Sequence, residues 1–434
     1  MSVPPHRLKI PVVVIGAGAC GLVAALAARK AGVLVLERDA SPSGSTALSS
    51  GFIPAAATRF QRAAGVDDSP GRMAADILRK NDHQADEKLV HALCRASGPA
   101  IEWLADAHGV PFELVQGFLY PGHSALRMHA VPEKTGAALM AALLRACSDI
   151  DILCSAAVTE VTPESVRFRR PGGAVEEVEY GSLVLACSGF GGNRDMVREH
   201  IPEIADAIYF GHAGNQGDAV RWGRALGAAV KHMGAYQGHG SLAAPHGILI
   251  TWALMMEGGI QVNAEGRRFS NEHQGYSEQC LPVLEQPGGV AWCVYDERLH
   301  RLGMTFPDYR EAHAAGAVRP VPDLPALPKT LEEVAGYAGG KPDPFGRDFT
   351  AKPKLVPPYY AVKVTGALFH TQGGLVVDEH ARVLDAHGRP LPNLFAGGGA
   401  ACGVSGAHVW GYLSGNGLLS AVTLGRIAGT GASR

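Results

Sequence analysis

The chain opens with an apolar strand pattern, a glycine-rich turn, a helical pattern and a second strand that ends in an acid. The β-branched run Ile10–Ile15 has the length and composition of a buried parallel strand. The turn after it carries glycines in a GxGxxG spacing, and the next strand pattern, Val33–Leu36, is followed by Glu37. Such glycines let the backbone approach a pyrophosphate at a helix N-terminus, and the acid accepts from a ribose hydroxyl. This order of elements predicts a dinucleotide-binding fold.

Further strand patterns fit the same sheet. Three of them lie before the middle of the chain, at Ile150–Cys154, Ala157–Val161 and Ser182–Ala186. Another, Asn393–Ala396, runs into glycines near the C-terminus and precedes a helical pattern at Leu418–Ile427. Because both ends of the chain supply strands, we expect the nucleotide-binding domain to be discontinuous.

The middle of the chain has a different composition. Residues 240–355 are richer in proline, glycine and charged turns, and they show no clear period. This predicts an inserted second domain of α+β class. The expected architecture is therefore an α/β protein, with a Rossmann-like domain formed by residues 1–239 and 356–434 and an insertion at residues 240–355.

Charge and cysteine content exclude several classes of protein. The 39 Lys and Arg residues balance 41 Asp and Glu residues, and no basic stripe with interleaved aromatic residues is present, so nucleic acid is not an expected partner. The 8 cysteines form no CxxC pair, which argues against the usual zinc sites. Their pattern does not resemble a secreted disulfide framework, so a reducing compartment is favoured. No run of about 18 apolar residues is present to span a bilayer. We therefore expect a cytoplasmic protein without a metal site.

Six motifs occur in an order that is typical of one enzyme family. They are VVVIGAGACGLVAALAARKAG with Glu37, GSTALSSG at 44–51, GNQGDAV at 214–220, NAEGRRFSNE at 263–272, FHTQGGLVVD at 369–378 and NLFAGGGAACGVSG at 393–406. Together they resemble the flavoprotein family of fumarate reductases, succinate dehydrogenases and 3-ketosteroid dehydrogenases over nearly the whole chain. The resemblance implies that FAD is the cofactor. It also implies that the insertion is a mobile cap that holds the substrate against the flavin ring.

The resemblance also assigns cofactor-binding residues. The N-terminal glycine turn is expected to cradle the pyrophosphate, and Glu37 to hold the adenosine ribose. Val158 is expected to offer its backbone to adenine, and Asp218 to contact the cofactor. The complete predicted set is Gly16, Ala17, Gly18, Gly21, Glu37, Ser45, Thr46, Ser50, Gly51, Val158, Asp218, Gly397, Gly398, Ser414, Gly415, Asn416 and Leu418.

Two positions in this set depart from the family pattern. Succinate dehydrogenases bind flavin covalently through a His that lies just before the matching Thr, and this chain has Ser45 there. We therefore expect noncovalent FAD. Relatives often carry a cofactor-contacting Glu where this chain has Gly398, so one cofactor contact is expected to be missing.

Two further departures bear on the reaction. Fumarate-reducing members carry an Arg shortly after the RFxNE motif and a second Arg near the C-terminus, and this chain has Tyr276 and Tyr412 instead. A phenol offers one neutral hydrogen bond in place of a charged fork, so a dicarboxylate is a poor candidate substrate. The 3-ketosteroid dehydrogenases resemble this chain in having a tyrosine in each region.

A tyrosine pair is suited to desaturation next to a ketone. That reaction needs an electrophile at the ketone oxygen, a base for the α-proton and a hydride acceptor, and we assign these roles to Tyr412, Tyr276 and flavin N5. The pKa of a tyrosine base must be lowered from about 10 by a neighbour. By analogy we expect Tyr120 to be that neighbour, with His123 and His129 near it in the sequence.

Two histidines indicate a polar substrate. His370 and His239 match residues that bind substrate in the fumarate reductases, which implies a cyclic ketone, an oxocyclohexane carboxylate or a 3-oxosteroid. Two alternatives stay open. One is a fumarate reductase-like reduction of an enoate or enone, with a tyrosine as proton donor. The other is a flavin-binding redox carrier without chemistry of its own. The external electron acceptor is also open.

Overall fold

The computed structural model describes residues 9–434. Its β-strands are β1 (Lys9–Ile15), β2 (Val33–Leu36), β3 (Ile53–Pro54), β4 (Glu113–Leu114), β5 (Met128–Ala130), β6 (Asp151–Leu153), β7 (Ala157–Val161), β8 (Ser165–Arg169), β9 (Val175–Leu185), β10 (Ile208–Tyr209), β11 (Val230–Lys231), β12 (Tyr236–Ala243), β13 (Ile248–Leu249), β14 (Ile260–Val262), β15 (Val290–Asp296), β16 (Val318–Pro320), β17 (Tyr359–Thr371), β18 (Gly374–Leu375), β19 (Arg382–Leu384) and β20 (Pro390–Ala396). Its α-helices are α1 (Ala19–Ala28), α2 (Gly44–Ala47), α3 (Arg59–Ala63), α4 (Pro70–Lys80), α5 (Glu87–His108), α6 (Gly136–Ala146), α7 (Arg194–His200), α8 (Asp218–Ala225), α9 (Ala253–Met256), α10 (Cys280–Leu284), α11 (Glu297–Gly303), α12 (Pro307–Ala314), α13 (Leu327–Ala338) and α14 (Asn416–Ala432).

The first sheet has the strand order β19-β20-β9-β1-β2-β6, with β8 and β7 attached beside β9. Strand β1 pairs in parallel with β2 and β9, and β20 pairs in parallel with β9. The valines at the centre of β1 are fully buried, as expected for a parallel strand that is covered on both faces. Because β20 comes from the C-terminal part of the chain, the predicted discontinuous α/β domain is confirmed.

Helix α1 is buried on nearly all sides, between the first sheet and α14. A Cβ at Gly429 in α14 would lie 2.1 Å from the carbonyl oxygen of Ala24 in α1, so the two helix backbones touch. This contact packs the C-terminal part of α14 against the middle of α1.

The second sheet has the order β13-β12-β17-β15-β14, with β10 and β16 also paired to β17. Strands β12 and β17 are antiparallel, and their register places Gln237 opposite His370. This sheet therefore carries both predicted substrate histidines on neighbouring strands. It also includes residues on both sides of the predicted insertion at 240–355, whose limits stay a prediction.

The predicted insertion contains helices as well as strands. Helices α9 to α13 all lie within the predicted insertion, in agreement with a mixed helix and sheet composition. Within residues 9–434, no helix combines the length and the apolar character that a membrane crossing requires.

Candidate active site

A cavity of about 290 Å³ extends from the glycine turn after β1 to the second sheet. We name one part of it the nucleotide end; the predicted cofactor residues in the lining are Gly16, Ala17, Gly18, Glu37, Ser45, Thr46, Ser50, Gly51, Val158, Asp218, Gly398, Ser414, Gly415 and Leu418. We name the other part the tyrosine end; it is lined by Tyr120, Gln237, His239, Leu249, Thr251, Trp252, Tyr276, Phe306, Asp308, Phe369, His370 and Tyr412. The structure thus brings most of the predicted site residues to one cavity.

The glycine turn leaves no room for a side chain at Gly16 or Gly21. Gly16 has a φ of +102°, and a Cβ there would lie 2.7 Å from the carbonyl oxygen of Ala186. A Cβ at Gly21 would lie 1.8 Å from the carbonyl oxygen of Gly16, so α1 packs directly on the end of β1. The turn therefore exposes backbone N–H groups at a helix N-terminus, which is the arrangement that binds a pyrophosphate.

Glu37 is buried and anchored at the same place. One carboxylate oxygen accepts the N–H of Ala17 at 2.8 Å, and the other accepts the N–H of Asp39 at 2.9 Å. A carboxylate has about four acceptor positions, so capacity for a ribose hydroxyl is left. The residues at the nucleotide end therefore fit a dinucleotide.

Ser45 is held by residues that the sequence did not indicate. Its hydroxyl accepts the side-chain N–H of Asn215 at 2.8 Å and the backbone N–H of His212 at 3.3 Å. Nearby, Arg38 donates to the Asp218 carboxylate at 3.2 Å. No motif reveals these contacts, because the partners are more than 160 residues apart.

Three predicted cofactor residues lie behind the cavity wall. Gly21 and Gly397 serve packing, since a Cβ at Gly397 would lie 2.7 Å from Cys20 Sγ. Asn416 is buried at the start of α14, donates to Ser405 at 3.1 Å and leaves its Oδ1 without a partner among residues 9–434. The buried hydroxyl of Ser420, which lines the cavity, is also unpartnered within those residues. A cofactor in the cavity would supply the missing hydrogen bond of Ser420.

The tyrosine end brings together aromatic side chains from five separate segments. The Tyr276 ring centroid lies 6.2 Å from that of Tyr412 and 6.2 Å from that of Tyr120. The His239 ring stacks on Tyr276 at 4.5 Å, and the His370 ring meets Tyr412 edge-on at 5.4 Å. All five predicted catalytic and substrate residues therefore form one cluster.

The two central tyrosines have different electrostatic surroundings. Burial raises the pKa of Tyr412 to about 12, opposed by hydrogen bonds from the N–H groups of Gly417 and Gly415 and from the hydroxyl of Tyr276. Burial and the neighbouring phenols of Tyr412 and Tyr120 raise the pKa of Tyr276 well above its usual range. Tyr412 is therefore a protonated donor near neutral pH, and donors at its own oxygen strengthen it in that role.

The expected effect of Tyr120 was wrong. Its phenol raises the pKa of Tyr276, because both groups would be anionic in the same low-dielectric pocket. His123 and His129 do not lower it either, since neither lines the cavity: His123 bonds to Arg127 and the Ser414 carbonyl, and His129 bonds to Thr58. The catalytic role of Tyr120 stays a prediction.

Both cavity histidines are neutral. Burial lowers the pKa of His239 to about 3 and that of His370 to about 4. His370 Nδ1 accepts from Gln372 Nε2 at 2.7 Å, and His239 Nδ1 accepts the N–H of Ser241 at 3.3 Å. In the His370 ring the proton is therefore on Nε2, which can donate to a substrate oxygen.

The loop that carries Tyr276 is fixed at its base. The Ser277 hydroxyl accepts the N–H of Gly238 at 3.0 Å and donates to the Val409 carbonyl at 3.1 Å. It thereby joins the segments that carry His239, Tyr276 and Tyr412. No sequence motif indicated this role for Ser277.

The two ends also differ in charge. Among residues 9–434, the lysine and arginine side chains that line the cavity are Arg38 and Lys134. Arg38 is bound to Gly214 and Asp218, and Lys134 lies in the turn that packs on Gly51. Both belong to the nucleotide end, so no described guanidinium or ammonium lines the tyrosine end.

Comparison with known proteins agrees with this geometry. Residues 11–418 match the protein family described as the FAD binding domain. A probable fumarate reductase of Shewanella frigidimarina is 30% identical over 98% of this chain and 74% of its own length. The 4-oxocyclohexanecarboxylate 2-dehydrogenase of Sinomonas cyclohexanicum is 25% identical over 98% of this chain and 92% of its own length. The structure of 3-ketosteroid-Δ4-(5α)-dehydrogenase from Rhodococcus jostii RHA1 superimposes with a TM-score of 0.79 at 26% identity, covering 100% of this chain and 98% of that one.

Proposed function

We propose that this chain, which belongs to the protein family described as the FAD binding domain, introduces a carbon-carbon double bond α,β to a ketone. FAD is the cofactor and the protein is an FAD-dependent oxidoreductase, as the sequence predicted. The predicted kinship with fumarate reductases and 3-ketosteroid dehydrogenases is confirmed. The proposed substrates are a cyclic ketone, an oxocyclohexane carboxylate or a 3-oxosteroid.

One observation carries this proposal. Tyr276 and Tyr412 face each other in the cavity, where they occupy the predicted positions of two arginines, and no described arginine or lysine lines that end. A dicarboxylate would lose its hydration there without gaining a charged fork, which is costly. A ketone oxygen needs only neutral hydrogen bonds, which Tyr412 and the Nε2–H of His370 can donate.

The proposed reaction divides the work between the two tyrosines. Tyr412 donates to the ketone oxygen and so acidifies the α C–H bond. Tyr276, as phenolate, takes the α-proton and becomes a phenol. FAD, when bound, supplies the acceptor for the β-hydride, so the substrate loses two electrons and two hydrogens in total. His239 stacks on Tyr276 and fixes the orientation of its ring.

We expect the cofactor to be held without a covalent bond. A hydroxyl bound by Asn215 and His212 occupies the position where succinate dehydrogenases carry the histidine that links to flavin. Acid precipitation of the protein should therefore release all flavin into the supernatant. Flavin that stays with the precipitate would contradict this expectation.

An anaerobic mixing experiment tests the proposed reaction. The oxidised protein is mixed with cyclohexanone, 4-oxocyclohexanecarboxylate, a 3-oxosteroid and succinate, and flavin absorbance is followed. We expect bleaching by a ketone, about 10²-fold to 10⁴-fold slower in Tyr276→Phe and in Tyr412→Phe, with unchanged flavin content. Bleaching by succinate alone, or equal rates in the tyrosine variants, would overturn the proposal. A protein that no compound bleaches would be a flavin-binding carrier.

The kinship with fumarate reductases supports a second candidate, the reduction of an enone or enoate with a tyrosine as proton donor. The neutral Nε2–H donor of His370 would serve a carbonyl in either direction of reaction. Dithionite-reduced protein should then be reoxidised rapidly by cyclohexenone or fumarate under anaerobic conditions. Slow reoxidation by both compounds would leave desaturation as the remaining reaction.

A further inference from the structure

Asp308 is the one described carboxylate at the tyrosine end of the cavity. It lies in the first turn of α12, directly after Pro307, and is half-buried. No lysine or arginine shares that end of the cavity, so a negative charge at Asp308 is not compensated from within the lining. The tyrosine end therefore has an acidic pole.

This acidic pole lies on the side of Tyr120. A series of edge-on ring contacts leads there from the proposed base: Tyr276 to Tyr120 at 6.2 Å, Tyr120 to Phe118 at 5.0 Å and Phe118 to Phe306 at 5.6 Å. Phe306 is two residues before Asp308, and the carboxylate is close enough to raise the pKa of Tyr120. Tyr120, Phe306 and Asp308 all line the cavity, so a molecule that is held between Tyr276 and Tyr412 and extends past Tyr120 would bring its far end towards Asp308.

The Asp308 carboxylate has unused acceptor capacity. Within residues 9–434, no group donates a hydrogen bond to it, and no lysine, arginine or histidine pairs with it. Burial and the negative charge of Glu311 raise the pKa of Asp308. An acid in the first turn also interacts favourably with the helix dipole, but that interaction requires neither burial nor a cavity position.

We propose that Asp308 is a specificity residue that accepts a hydrogen bond from a hydroxyl or ammonium group at the end of the substrate remote from its ketone. This rests on the proposed ketone reaction and narrows its substrate class. A carboxylate at that remote position would face Asp308 without an intervening cation, so an oxocyclohexane carboxylate becomes the weakest of the three proposed substrates. A ketone with a remote donor becomes the strongest.

Matched ligands test this assignment. The probes are four cyclohexanones substituted at carbon 4 with a methyl, hydroxymethyl, dimethylaminomethyl or carboxylate group. Each is titrated calorimetrically into flavin-loaded Tyr276→Phe protein, in which turnover is strongly slowed. We expect the hydroxymethyl and protonated dimethylaminomethyl compounds to bind about tenfold more tightly than the methyl compound, and the carboxylate to bind most weakly.

Two charge-removing variants on α12 complete the test. In Asp308→Asn the differences should shrink to about threefold or less, mainly through weaker binding of the two donors and tighter binding of the carboxylate. Glu311→Gln removes the same charge from an exposed position on the same helix and should preserve the original order. Flavin content serves as the check that both variants fold.

The outcomes separate this inference from the proposed function. An unchanged order when Asp308→Asn is added to Tyr276→Phe, or tightest binding of the carboxylate by the Tyr276→Phe protein, would overturn the role of Asp308. Donor-selective binding that depends on Asp308, in a protein whose flavin no ketone bleaches, would support the role of Asp308 and overturn the ketone reaction. Bleaching by ketones without donor selectivity would support the ketone reaction and overturn the role of Asp308.

Discussion

The nucleotide end and the tyrosine end of the cavity are built in different ways. The nucleotide end depends on the backbone: Gly16 and Gly21 permit contacts that any side chain would block, and Glu37 is held by two N–H groups. The tyrosine end depends on side chains that five distant segments supply. An added methyl group should therefore destroy the first end, whereas a deleted hydroxyl should change the chemistry of the second and leave the cofactor in place.

The largest expected effect is that of Gly21→Ala. The new Cβ would lie 1.8 Å from the carbonyl oxygen of Gly16, so α1 would have to move away from β1 and from the pyrophosphate-binding turn. An overpacking cost of about 3 kcal/mol or more would weaken FAD binding by at least about a hundredfold. The ratio of flavin to protein absorbance after purification measures this loss.

Gly71→Ala is the matched control for that variant. Gly71 is also in a helix, but the nearest atom to a Cβ there is Ser69 Oγ at 4.0 Å, and its φ is ordinary. We expect full flavin content and unchanged or slightly higher thermal stability, since alanine has the higher helix propensity. Equal flavin loss in both variants would show that the turn is not specially constrained.

The pH dependence of flavin reduction should follow the titration of Tyr276 and not that of either cavity histidine. The proposed base acts as a phenolate, and the pKa of Tyr276 is raised, so the phenolate fraction and the rate should rise by about tenfold per pH unit below that pKa. With pKa values of about 3 for His239 and about 4 for His370, neither histidine titrates near neutral pH. Stopped-flow rates from about pH 6 to 9 measure this slope, and an inflection near pH 6.5 would contradict it.

The sequence predicted the nucleotide end well because its elements are local. The end of β1, the glycine turn, α1, β2 and Glu37 lie within 30 residues of one another, and each has its own pattern. The positions of Tyr276 and Tyr412 were also predictable, but only through their spacing from recognisable motifs. Their contact with each other was expected from the family resemblance and not from any local pattern.

Other parts had no usable pattern. All eight residues of β12 are buried, so the alternation that marks a half-buried strand is missing from YQGHGSLA. The 13-residue strand β17 was not predicted, although it carries His370. The environment of Asp308 was equally hidden, because a charge in the first turn of a helix is an ordinary feature of a sequence.

The smallest expected effect is that of Ser277→Ala. This variant tests whether the tyrosine end needs the hydrogen bonds that hold the loop of Tyr276 in place. The change leaves the Gly238 N–H and the Val409 carbonyl without their shared partner, at a cost of about 1 to 3 kcal/mol. Because Tyr276 directly precedes Ser277, its ring should lose its fixed orientation. The maximal rate of flavin reduction should therefore fall by about fivefold to tenfold. The ketone concentration that gives half-maximal rate should change by less than about twofold, and flavin content should stay the same.

Ser165→Ala distinguishes positioning from lost stability. Ser165 is also buried, and its hydroxyl donates to Glu177 at 2.7 Å in the first sheet, remote from the cavity lining. Ser165→Ala should lower the melting temperature by a few degrees, as Ser277→Ala does, and should leave the rate of flavin reduction unchanged. If both variants slow the reaction equally, or if Ser277→Ala lowers only the melting temperature, Ser277 is merely structural. A rate loss confined to Ser277→Ala would show that the side-chain-built end of the cavity depends on the geometry of its supporting loop, as the backbone-built end does on its glycines.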